Sequence, residues 1–197
     1  TAREKSKKFV GLEVDAIYSD YQDKIFVGHD LEDTANNLQI ENWFEYVENP
    51  SQKCFWIDMK NLDKHNAKPI STKLLGIMDK HKMADNLFVE SPDAKALKTI
   101  KSSGLRIILW TDNPVWNNID TTTWIAHTKE KIEELNPDAI SNEAGMFELL
   151  TEHFSNQNIH LWQTAIKNDK NIEYTRKLCR NNSVKVVLVD YDEPINY

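Results

Sequence analysis

The stretch Gly11-Leu12-Glu13-Val14-Asp15-Ala16-Ile17-Tyr18 sets two acids, two residues apart, in a run otherwise as apolar as a buried strand. Side chains two apart on a strand share a face. Glu13 and Asp15 therefore point the same way, about 6–7 Å apart along the chain, while Leu12, Val14 and Ala16 point the other way. Two carboxylates at that separation in a partly dry site repel by about 3 kcal/mol at an effective dielectric near ~20. They call for a neutralising partner, and a divalent cation is the simplest one. After a short extended piece at 24–28 comes His29-Asp30.

Outward from this run, branched and aromatic stretches predict strands at 9–18, 54–60, 86–91, 105–111, 138–143, 158–164 and 184–190. Amphipathic spacing predicts helices at 1–9, 40–47, 71–83, 93–102, 121–135, 146–154 and 172–180, with Ser71 and Ser91-Pro92-Asp93 as start signals and Gly104 as a stop. Alternating strands and helices imply parallel strands. Polar residues gather at the strand ends: Asp15, Asp58 and Lys60, Glu90 and Ser91, Trp110 to Asp112, Asn142 and Glu143, Gln163 and Thr164, and Asp190. Chemistry spread along a carboxyl-terminal rim is the mark of a TIM (β/α)8 barrel, whereas an open doubly wound sheet concentrates it at one glycine-rich turn. Five glycines and no phosphate-binding glycine motif leave the α/β barrel as the expected fold. Seven strands are visible where eight are needed, so a first strand is expected upstream of Thr1.

The bulk numbers bound the function. A chain of 197 residues with no linker-like tract is expected to form one domain over 1–197. A net charge of -7 and a pI near 5.4 argue against nucleic acid as the partner. Cys54 and Cys179 both lie in stretches that read as core, with no disulfide framework. His65, His81, His127 and His153 read as surface, and His160 as an early strand residue. No apolar run approaches the ~20 residues that span a bilayer. The chain is expected to be a soluble domain, cytoplasmic or exported after removal of an upstream signal, with its oligomeric state open.

In order, these motifs resemble the glycerophosphodiester phosphodiesterase family, within the barrels related to phosphatidylinositol-specific phospholipase C. That family has a first strand ending in His-Arg, then Glu-x-Asp, then His-Asp, then an acid-x-Lys. Glu13-Val14-Asp15, His29-Asp30 and Asp58-Met59-Lys60 match the last three. The resemblance implies a phosphodiester hydrolase taking glycerophosphodiesters, lysophospholipids or related small-molecule diesters. The first histidine has no counterpart here. Asp58 stands where many bacterial members have Glu; the related spider-venom phospholipase D enzymes resemble this chain in using Asp.

On this reading Glu13, Asp15 and Asp58 supply hard oxygens for Mg²⁺ or Ca²⁺. His29 exchanges protons with the leaving alkoxide and with water, and Lys60 pairs with a phosphate oxygen. Glu90, Trp110 and Trp162 are expected to touch substrate, the indoles walling a glycerol or lipid-derived group. Two rivals stay open: an inactive barrel that holds a phosphorylated ligand, and a different metal-assisted hydrolase on the same fold.

Overall fold

The computed structural model describes residues 1–195. The chain divides into two compact units, Thr1–Ile107 and a second from Ile108 onward, each described by itself.

The first unit opens with helix α1 (Ala2–Lys8), started by a capping box in which Thr1 and Glu4 satisfy each other's backbone donors. Strand β1 (Gly11–Ser19) turns back into β2 (Lys24–Val27), and the two form an antiparallel hairpin with Ala16 opposite Val27 and Ser19 opposite Lys24. The extended piece expected at 24–28 is thus a full strand. It raises the count among the described residues to eight and breaks strict strand–helix alternation. After helix α2 (Ile40–Glu45), β3 (Cys54–Met59) pairs in parallel with β1, setting Glu13 beside Trp56 and Asp15 beside Asp58. Next come helix α3 (Ala67–Lys80), strand β4 (Leu87–Ser91) and helix α4 (Ala94–Ser102). Strand β4 lies on the other side of β3, with Glu90 beside Asp58. The order in this unit is β2-β1-β3-β4.

Its core centres on Trp43, Phe44 and Phe55, whose ring centroids lie 4.8–6.1 Å apart. Three expectations change here. Helix α3 starts at Ala67 rather than Ser71, because Pro69 sits in its first turn, where a missing N–H costs nothing. Ser71 is buried within the helix, its hydroxyl donating to the Ala67 carbonyl. His81 is not a surface residue: its side chain is 12% exposed and its ring packs 5.8 Å from Phe44.

Strand β5 (Arg106–Trp110) carries the boundary between units. In the second unit it is followed by helix α5 (Thr121–Leu135), strand β6 (Ala139–Glu143), helix α6 (Phe147–His153), strand β7 (Ile159–Gln163), helix α7 (Asp169–Cys179) and strand β8 (Val184–Val189). These strands are parallel, in the order β5-β6-β7-β8. Asp120 and Asn168 cap α5 and α7 through their side chains, and Asn136 in a left-handed conformation ends α5. At the ends of β5 and β6 the Asn142 amide donates to the carbonyl of Thr111 at 2.5 Å and to its hydroxyl at 3.0 Å, so the polar strand ends here brace one another. Cys179, expected in the core, is exposed on the last turn of α7, and Cys54 is half-buried. Among the described residues no helix is long and apolar enough to cross a membrane.

Candidate active site

Alternation along β1 and β3, together with their register, brings Glu13, Asp15, Trp56, Asp58 and Lys60 onto one face of the first unit. Each of Glu13, Asp15 and Asp58 places a carboxylate oxygen within 4.8 Å of the others, and all three are half-buried. The Lys60 ammonium lies 2.8 Å from Asp15 Oδ1 and 2.5 Å from Asp58 Oδ2. Its backbone N–H donates to the Ala16 carbonyl, which holds the end of β3 against β1.

Protonation follows from this crowding. Burial, then the charges of Asp15 and Asp58, push Glu13 up to about 8 from its ordinary 4.5. Burial also raises Asp58, against the opposing pull of its bond to Lys60. Burial by itself would depress Lys60, but the bonds from Asp15 and Asp58 outweigh it and hold the ammonium above the usual lysine range. Three carboxyl groups crowd around a single cation. Carboxyl oxygens with no nitrogen or sulfur donor, converging on a face partly open to solvent, are the donor set that a hard divalent cation prefers once their protons are released.

His29 follows β2 in a loop tied to this cluster. The Gly28 N–H donates to the Asp15 carbonyl at 3.0 Å. Asp33 Oδ2 accepts the backbone N–H of His29 at 2.8 Å and of Asp30 at 3.1 Å, and these bonds hold its carboxyl below the ordinary value. The His29 ring is exposed, with Nδ1 3.1 Å from Asp30 Oδ1. Glu90 shares the face of Asp58 but is only 4% exposed, and it accepts the Trp56 indole N–H at 2.9 Å. It is a buried, hydrogen-bonded carboxylate rather than a free rim group. Trp110 and Trp162 belong to the second unit. Trp162 packs against Trp116 at 5.7 Å, while the Trp110 indole N–H is buried with no hydrogen-bond partner among the described residues.

No family model matches the chain, and no curated protein matches it in sequence. Solved structures do match. A phosphodiesterase from Oleispira antarctica, in complex with the product sn-glycerol-3-phosphate, is 11% identical and superposes with a TM-score of 0.68 over 97% of this chain and 85% of that one. A glycerophosphodiester phosphodiesterase from Parabacteroides distasonis, also 11% identical, gives 0.66 over 96% and 82%. The fold is the one found in glycerophosphodiester phosphodiesterases. It is shared more widely: a glycerol uptake operon antiterminator regulatory protein from Listeria monocytogenes, 9% identical, gives 0.54 over 97% and 88%.

Sequence reasoning missed two residues that shape this face. Asp33 fixes the His29 loop, and its signal was the capping-box spacing from Asp30. Trp56 holds Glu90, and its signal was its place two residues before Asp58 on the same strand face.

Proposed function

We propose that the chain is a metal-dependent phosphodiester hydrolase on a (β/α)8-type barrel, acting on glycerophosphodiesters or related phospholipid-derived diesters such as lysophospholipids. The supporting observation is the meeting of Glu13, Asp15, Asp58 and Lys60 on one face beside the anchored His29 loop. Mg²⁺ or Ca²⁺ held by the three carboxylates would screen the diester charge and acidify the attacking hydroxyl. In this reading Lys60 meets a phosphate oxygen as a compact positive charge. Asp30 on Nδ1 leaves Nε2 of His29 to protonate the leaving alkoxide and later to take a proton from water. A neighbouring hydroxyl of the substrate attacks phosphorus, and a cyclic phosphate intervenes. Glu90, Trp110 and Trp162 are assigned to substrate contact through the resemblance. Glu90 would act from beneath the face, already bonded to Trp56.

A second reading is a barrel that binds a phosphorylated ligand without turning it over. It is favoured by a fold shared with the Listeria regulatory protein. Incubating the full chain with a series of glycerophosphodiesters and Mg²⁺ or Ca²⁺, with glycerol phosphate followed by ³¹P NMR, separates the two. The hydrolase reading expects turnover that chelation abolishes and that His29→Ala lowers by about 10²-fold or more. Saturable binding of glycerol phosphate with no turnover supports the binder instead.

A further inference from the structure

Two of the three carboxylates that would hold a cation are already paired with a side chain of the protein itself. Lys60 Nζ lies 2.8 Å from Asp15 Oδ1 and 2.5 Å from Asp58 Oδ2, and the Lys60 backbone is pinned to the Ala16 carbonyl at 2.9 Å. A tethered group of this kind competes at a high effective concentration, unlike a dissolved ion. We propose that Lys60 is the specificity-determining residue of the acidic cluster: it selects divalent over monovalent cations and is displaced when one binds. The proposal rests on the metal site assigned above and deepens it.

The selection is electrostatic. Na⁺ or K⁺ brings the single charge that the ammonium already supplies, and gains nothing by evicting it. A divalent ion brings twice that charge and a stronger demand for carboxylate oxygens, so it can take Asp15 and Asp58 from the lysine. The freed ammonium stays on its four-carbon stem beside the same face. Cation loading therefore delivers a positive charge to an incoming phosphate, and cation and anion binding become mutually reinforcing.

Calorimetric titration of the metal-free full chain with Mg²⁺, Ca²⁺ and Na⁺, for wild type, Lys60→Met and Lys60→Arg, tests this without reading turnover. The Met variant should bind divalent ions about tenfold or more tightly, by loss of a competing charge in direct contact, and should acquire Na⁺ binding. The Arg variant should keep the wild-type preference. Labelling of wild type with an amine-reactive ester, read by mass spectrometry, should show Lys60 modification rising with Ca²⁺ while Lys73, paired to Asp23 at 3.0 Å, does not change. Lys60→Gln replaces the Met variant if that one does not melt cooperatively. Unchanged divalent affinity in both neutral variants, or Lys60 labelling indifferent to Ca²⁺, overturns the proposal and leaves the metal site standing. No divalent binding by any variant overturns both.

Discussion

Glu13 carries the clearest pH signature. Its folded pKa of about 8 lies above its ordinary 4.5, so the folded chain holds a proton that the unfolded chain releases between those values. The stability it contributes is complete below about 4.5 and is lost as the pH rises to about 8. Urea midpoints of the metal-free protein should fall across that window, and Glu13→Gln should flatten the fall. Because a cation must evict the same proton, Ca²⁺ affinity should climb over the same range. Trp56 gives a second test at this scale. Trp56→Phe removes one donor to the buried Glu90 side chain and should cost about 1–3 kcal/mol, measured by urea unfolding. A cost near zero would mean that this bond does not hold Glu90 in place.

The β1–β2 hairpin and the loop after it decide where His29 stands. A Cβ on Gly28 would lie 2.3 Å from the Asp33 Cβ, so Gly28→Ala must push apart the loop that Asp33 holds. The expected cost is about 1–3 kcal/mol of overpacking, with a loss of turnover larger than that for a substitution on the exposed face of α4; differential scanning calorimetry and kinetics check the two parts. Elements also show what sequence alone reveals. Period-two alternation exposed Glu13, Asp15, Asp58 and Lys60, because strand periodicity is local and their common face needs only parallel pairing of β1 with β3. Asp33 was passed over because it accepts backbone N–H groups across a chain reversal, whose trace in the sequence is the spacing from Asp30 rather than a period. His81 was misplaced because its position beside Phe44 depends on α3 packing against α2, which no local pattern encodes. The start of α3 was read late because Pro69 looks like a breaker unless it falls within a first turn.

For the whole chain, the strand positions and their polar ends were legible, since both follow from burial and period. The hairpin partner β2 was half visible, being short and lying between turn residues. At identities of 9–11% to the solved structures described above the fold survives where sequence matching is silent, because a packed sheet-and-helix fold constrains pattern and volume more than residue identity. Activity is a property of the site rather than of the fold, as the shared architecture of phosphodiesterases and an antiterminator protein illustrates. The most direct measurement is therefore a crystal of the full chain soaked with Mn²⁺ and examined by anomalous scattering. The account predicts a single strong peak about 2.0–2.6 Å from carboxylate oxygens of Glu13, Asp15 and Asp58. A peak at another place, or none at this cluster while the acids remain bound to Lys60, would contradict it.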